Sequence, residues 1–406
     1  MNPVTSLSRR GKAFVGRLDP GVWLITVTGF LNSAAFSFSL PFLSLYLYED
    51  RHVPMTVVGF IILFSGIASA IVQIYSGALS DKLGRRPLLI TSVVSSGTLY
   101  AVMALLVGAG AAVWLIVAVY TLVRCALMMQ RPAIQAMVVD ICEPEKLVEA
   151  NGVLRVGQNL GWAFGPAIGG YLLAKISYSW LFGIAAVISI AIIFFVFSNI
   201  KETCQMVEEK ITLSTVFSAA RNRSFLAFIM LCMVLFLSMG QMGSTLSVFS
   251  VDRAHFTLEQ FGALLTLNGL EVVAFQYPVA RLISRLRHST ALALGSFFYA
   301  MGWLLMGFVG PYALAVASMF VITMGEITVA PTSLAVVGEH SPPGMRGRYQ
   351  GLFGISETMG ISVGPFMGGV LLDTFTGNGL PIWGIIGSFA LSACIGFLIW
   401  GRWAKK

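Results

Sequence analysis

The chain has 406 residues, of which 57% are hydrophobic and 11% charged, with a formal net charge of +8. A soluble protein of this length carries roughly a quarter charged residues, so this chain lacks the polar surface to face water on every side. Its positive charge sits in short breaks on one side of a series of apolar runs, which marks topology and excludes a nucleic-acid partner.

About twenty apolar residues form a helix that crosses ~30 Å of hydrocarbon, and twelve such runs follow one another. Gly21–Tyr48 opens the series. It is too long for a signal core and no small-residue cleavage site follows it, so a retained first helix is expected. Next come Met55–Ser80, Leu88–Gly108, Ala112–Val138, Gly152–Leu173 and Tyr178–Ser198. A long polar break then carries Glu202, Glu208, Glu209 and Lys210, followed by Leu213, Val216, Phe217 and Ala220. The last four have i, i+3, i+4, i+7 spacing, which suits either an amphipathic helix on the inner membrane surface or a simple linker. The second series is Phe225–Val251, Leu258–Ser284, Ala291–Val309, Tyr312–Val337, Tyr349–Leu372 and Ile382–Trp400. Barrel strands would alternate with period two; these runs are solidly apolar. The fold expected is an all-α membrane protein of twelve transmembrane helices. It forms two pseudo-symmetric six-helix bundles, residues 1–198 and 225–406, joined by a cytoplasmic linker, residues 199–224.

With the N-terminus inside, cytoplasmic segments hold twenty of the 26 Lys and Arg residues and the opposite side three, Arg51, Lys175 and Arg253. That bias places both termini in the cytoplasm of a cell whose inner or plasma membrane holds the chain. Cys125, Cys142, Cys204, Cys232 and Cys394 have no paired or metal-binding spacing, so neither a disulfide framework nor a metal is expected.

The two halves echo each other. Gly152, Gly161, Gly165-Pro166 and Gly169-Gly170 recur 199 residues later as Gly351, Gly360, Gly364-Pro365 and Gly368-Gly369. The same offset carries Pro132 onto Pro331, Asp140 onto Glu339 and Pro144 onto Pro343. Six spans is an even number, so both halves start in the cytoplasm and run the same way. A parallel repeat of this kind holds a substrate site between its halves and rocks them about it.

The second span ends in Gly77-Ala-Leu-Ser-Asp81-Lys-Leu-Gly84-Arg85-Arg86-Pro87. Gly84 permits a turn with φ > 0, Pro87 suits the first turn of the next helix, and Asp81 and Arg85 can pair across the cytoplasmic mouth. This loop resembles the span 2–3 signature of the major facilitator superfamily. The Gly152–Gly170 element resembles the span-five antiporter signature of its twelve-span drug–proton antiporters. The resemblance, which covers nearly the whole chain, implies that Asp81, Arg85 and Asp140 form a charge relay with the start of span eleven and shut the cytoplasmic side. After span eight, Ser284 stands where that Asp would be, so the relay is expected in the first half alone. Gly157, Gly161, Gly165 and Gly169 form one stripe, and Gly360, Gly364 and Gly368 another, fit for close helix packing. Pro166 and Pro365 allow a bend.

Charges inside apolar runs are costly and usually mark pathways. Arg124 in span four resembles the arginine many of these antiporters carry there. Glu326 in span ten, Glu271 in span eight and Glu357 in span eleven are, in that order, the proton-coupling candidates. A buried carboxylate is cheap to hold when neutral and needs a cation when charged, so a proton and a cationic substrate can compete for it. Met324-Gly325-Glu326-Ile327 with Pro331 also looks like span ten of proton-coupled multidrug exporters. Asn32, Phe36 and Gln241 are the pocket candidates, set among aromatic and Met residues that repack around varied ligands. The function expected is proton-coupled antiport that exports apolar or cationic small molecules. Two alternatives are a proton-coupled transporter of a specific metabolite, such as a sugar or organic acid, and a non-transporting sensor with the same fold. No nucleophile–base set and no nucleotide-binding Gly-Lys loop stands in the sequence, so no enzyme, ATP drive or cofactor is expected. The partners are a small-molecule substrate, protons and the lipid around a monomer.

Overall fold

The computed structural model describes residues 18–143, 146–203, 218–308, 310–342, 345–377 and 379–403. Each apolar run folds as a helix, because in hydrocarbon a backbone can satisfy its N–H and C=O groups only within its own segment. Twelve long helices stand among the described residues: α1 (Pro20–Glu49), α2 (Met55–Leu83), α3 (Arg85–Gly108), α4 (Val113–Ile141), α5 (Leu147–Leu173), α6 (Tyr178–Asn199), α7 (Arg223–Met239), α8 (Leu258–Ile283), α9 (His288–Met306), α10 (Tyr312–His340), α11 (Arg346–Thr374) and α12 (Gly379–Trp403). Side chains fix several of their starts. Asp19 accepts from Gly21 N at 2.7 Å, Asn222 accepts from Phe225 N at 3.1 Å, and Thr257 and Gln260 form a reciprocal capping box on α8. These caps satisfy first-turn donors that a helix cannot bond internally.

Ten of these helices are long and apolar enough to cross a membrane. Their outer faces carry apolar stripes open to lipid, such as Val187, Ile190, Phe194 and Phe197 on α6. The chain is a multi-pass membrane protein. The other two, α5 and α8, are diluted by Arg155, Gln158 and Asn159 and by Asn268, Glu271 and Gln276 respectively. They pack on each other, while the polar residues of α8 turn to α10, where Asn268 meets Thr323 and Glu326, Glu271 meets Thr323, and Gln276 donates to Ile327 O. Gln158 of α5 lies against Gly29 of α1.

The seventh apolar run is the one that differs from expectation. Its regular helix stops at Met239 and continues as a 3-10 turn (Gly240–Gly243), a short turn (Thr245–Val248) and a π turn (Phe249–Arg253). Gly240 sits where a β-carbon would stand 2.6 Å from the Ile361 carbonyl oxygen of α11. Gln241 repairs the break: its amide donates to Leu237 O at 2.7 Å and its oxygen accepts from Thr245 Oγ1 at 2.6 Å.

The principal packing pairs repeat. α1 packs on α5 and α6, α2 on α4, and α3 on α4 and α6; α7 packs on α11 and α12, α8 on α10, and α9 on α10 and α12. Adding six to each label of the first set gives the second. Two seams join the sets, α2 on α11 and α5 on α8, and they too are related. Gly59 lies against Pro365 and Phe366 as Gly262 lies against Pro166; Gly66 meets Ser362 as Gly269 meets Ala163; Gly369 meets Met55 as Gly170 meets Leu258. These pairs show an echo of 203 residues in the first two helices of each half, beside the 199-residue echo of the later ones. All six contacts lie toward the ends of the helices away from the chain termini. The amphipathic reading of the linker falls mainly on residues 204–217, outside the described residues.

Candidate coupling site and gates

In the second half, one amide organises the buried acids. Asn268 of α8 donates through Nδ2 to Thr323 Oγ1 at 3.0 Å and to Glu326 Oε2 at 2.9 Å, both on α10. Glu271 follows Asn268 by three residues, so it shares that face of α8, and it too contacts Thr323. Glu271 is 5% exposed, and its Oε2 has no hydrogen-bond partner. Among the described residues neither Glu326 nor Glu271 enters an ion pair. The field of Arg155, on α5 of the other half, reaches Glu326. Two carboxylates are thus bridged by one threonine and one asparagine beside the α5–α8 seam. Glu357 on α11 is placed differently, and its field falls on Cys232 of α7.

In the first half, Arg124 lies over the Phe36 ring at 5.7 Å from its centroid, and Phe36 packs on Trp162 at 5.4 Å. Arg124 has no acidic partner among the described residues, and its Nε is buried without an acceptor. Asn32 donates to Gln130 Oε1 and to Thr28 O, each at 3.1 Å, tying α1 to α4. Asn32, Phe36 and Arg124 therefore belong to one neighbourhood. Gln241 does not join it; its amide is used within the broken seventh span, against Gly364 and Gly368. The 199-residue echo carries Arg124 onto Thr323. The first half thus places a cation where the second places the threonine between its two acids.

Gly84 has φ +97° and ends α2 as it starts α3. Arg85 forms an ion pair with Asp140 of α4 and donates to Ala136 O at 2.8 Å. Gly77 and Asp81 lie on α2, where their side chains fall outside the description. Glu202, from the start of the linker, accepts from Arg85 N and Arg86 N at 3.0 and 3.1 Å. A carboxylate there complements the positive end of α3. The second half has a related clasp, since His288 Nδ1 lies 3.1 Å from Glu339 Oε2. The offsets of 203 and 199 carry Arg85 onto His288 and Asp140 onto Glu339. The second half thus has Ser284 at the position of Asp81 and a His288–Glu339 contact at the position of the Arg85–Asp140 pair.

The glycine stripes seat neighbours within each half. β-carbons at Gly157, Gly161, Gly165 and Gly169 would run into the α1 backbone between Thr26 and Phe38; those at Gly360 and Gly364 would run into α7 at Met233, Phe236 and Leu237. Gly368 meets Gln241 and Thr245. Gly170 and Gly369, at the ends of the signatures, face the opposite half. Asn268, Thr323, Gln130 and His288 escaped the sequence reading, and Glu202 entered it only as a charge of the linker. Each is common at helix ends or inside helices, and its role depends on a partner about fifty or more residues away.

The sequence profile of the Major Facilitator Superfamily matches residues 25–365 and 231–406. The tetracycline resistance protein, class C, of Escherichia coli is 25% identical over 81% of this chain and 83% of its own. A Na(+), Li(+), K(+)/H(+) antiporter of Planococcus maritimus is 20% identical over 89% and 91%. The crystal structure of a POT family transporter in complex with a thioalcohol-conjugated peptide superposes with a TM-score of 0.83 at 12% identity, over 95% of this chain and 97% of that one.

Proposed function

The chain belongs to the major facilitator superfamily and is a transporter, not an enzyme, and from that premise we propose that it exports apolar or cationic small molecules in exchange for protons. Residues 1–198 and 225–406 act as two lobes of six crossings each, with both termini in the cytoplasm of a cell-membrane protein. The two polar helices α5 and α8 count among the twelve crossings because they line the seam between lobes. The lobes alternate about a central site, as parallel-repeat transporters do. With its close contacts away from the termini, the arrangement corresponds to the inward-open state.

One observation carries this reading: among the described residues Glu271 and Glu326, bridged by Thr323 and Asn268, stand in the bundle without an ion pair, the charge of Arg155 reaching only Glu326 and from the other half. A buried unpaired charge costs several kcal/mol, so the pair is stable with a proton or with a cation from outside. Competition between the two would exchange protons for a cationic substrate. The resemblance to a tetracycline resistance protein and to a cation/proton antiporter supports this direction. Arg85–Asp140, a pair within the first lobe, and the Asp81 loop supply that lobe's side of the cytoplasmic gate, which shuts when the start of α11 joins them, and Pro166 and Pro365 act as the bending points. Phe36 and Trp162 form an adaptable wall.

The test is proton release from purified protein on adding ethidium, a lipophilic cation, together with ethidium uptake into inverted vesicles under a proton gradient. Wild type should release protons and accumulate ethidium, and Glu326→Gln should do neither. Coupling unchanged in both Glu326→Gln and Glu271→Gln would overturn the assignment. A second reading rests on Arg124, whose lack of an acidic partner among the described residues suits a substrate with an anionic group, such as an organic acid. Under that reading, Arg124→Gln abolishes uptake of a carboxylate in exchange for or with protons, and ethidium is not carried.

A further inference from the structure

The two seams between the lobes are closed by related glycine contacts, yet one of them is also fastened. The N-cap of α2 is Pro54, which offers no side-chain acceptor. Two of the donors in its first turn are taken instead by the other lobe: Met55 N and Thr56 N donate to the two carboxylate oxygens of Asp373, at 3.0 and 2.7 Å. At the related seam, the first turn of α8 is capped by its own Thr257 and Gln260. The residue in α5's connection that matches Asp373 is Ala174. Across the α5–α8 seam the charge of Lys175 reaches Glu259 without an ion pair among the described residues, so that seam is packed, and the α2–α11 seam is packed and clasped. Tyr48 Oη also donates across the lobes, to Asp252 Oδ2 at 3.3 Å, but that carboxylate already pairs with Arg253.

We propose that Asp373 is a positioning residue of the transport cycle, an asymmetric latch that holds the side away from the termini shut. Hydrogen bonds from N–H groups to a carboxylate are charge-assisted, and the helix dipole adds to them. When the lobes part, α2 has no cap of its own to replace Asp373, so its first-turn donors return to water. Breaking this contact is a cost of opening at one seam that the other seam does not share. The latch thus sets how often the outward-open state is visited. What opening accomplishes rests on the alternating-access reading above; the latch itself rests on the contact.

Seam opening can be read by thiol labelling, without substrate or proton gradient. In a background lacking the five native cysteines, Ser362→Cys reports on the α2–α11 seam and Ala163→Cys on the α5–α8 seam, at positions matched by the repeat. A membrane-impermeant maleimide is applied to intact cells and to inverted vesicles, so that either orientation of the termini is covered. Asp373→Ala should raise the labelling rate of Ser362→Cys about threefold, a helix-cap loss discounted for the solvent exposure of Asp373, and leave Ala163→Cys unchanged. Asp373→Asn, which keeps an uncharged acceptor, should give a smaller rise. An unchanged rate at Ser362→Cys in both variants would overturn the latch, as would an equal rise at both seams, which would signal general loosening. Since the assay needs no transport, a failed proton-release test for Glu326 leaves this result standing, and the reverse also holds.

Discussion

Asn268 occupies a position where one buried amide serves two acceptors, Thr323 and Glu326. Replacing it with leucine removes both bonds and leaves an apolar neighbour beside a carboxylate, a loss of ~1–3 kcal/mol. Asn268→Leu is therefore expected to lower the thermal stability of the purified protein and to weaken ethidium-induced proton release; stability and release equal to wild type would remove Asn268 from the site. At this scale the sequence speaks through cost. Glu326, Glu271 and Arg124 stand out as charges within apolar runs because hydrocarbon penalises them. Asn268 does not, since a neutral amide is cheaper and several others share the bundle. Nor can sequence alone unite Glu271 with Glu326, since the link between them through Thr323 and Asn268 is known only once α8 lies on α10.

Elements were largely legible, since an apolar run of twenty residues in lipid has one stable backbone form. The seventh run misled because its last third, although dotted with Gly, Gln, Ser and Thr from Ser238 to Ser250, carries no charge before Asp252 and so continues the span, and only contact with α11 shows why Gly240 marks a break. The 203-residue echo surfaces in the sequence reading only where Ser284 answers Asp81, for a related reason. It rests on glycines that matter only at the seams, while the surrounding lipid-facing residues are free to differ. Those glycines make a sharp prediction. A β-carbon at Gly59 would stand 2.5 Å from Phe366 Cα, whereas at Gly354 it would meet nothing within 4 Å. Gly59→Ala should hold the α2–α11 seam apart, cut ethidium transport at least fivefold and leave the helices folded by circular dichroism. Gly354→Ala should transport as wild type. Equal activity in the two variants would show that the seam need not close this tightly.

For the whole molecule, the duplication gives both lobes the same clasp and then loads it unequally. Arg85 and Asp140 have side chains 11% and 20% exposed, against 37% and 62% for His288 and Glu339. Ion pairs open to water contribute ~0–1 kcal/mol, while removing one partner of a shielded pair leaves a charge without compensation and costs more. Asp140→Asn should therefore destabilise the protein by ~1–3 kcal/mol, below the full cost of a buried pair because Arg85 keeps its bond to Ala136 O at 2.8 Å. Glu339→Gln should stay within ~0.5 kcal/mol of wild type. Tryptophan-fluorescence melts of the purified variants measure the difference directly. Equal losses would mean that burial does not set the strength of these clasps and that the lobes are held alike. A loss confined to Asp140→Asn, with slowed ethidium efflux, would place the stiffer inner clasp in the first lobe. The latch at Asp373 lies at the opposite end of the bundle, where the second lobe holds the first, so each lobe would then supply the firmer contact on one side of the membrane.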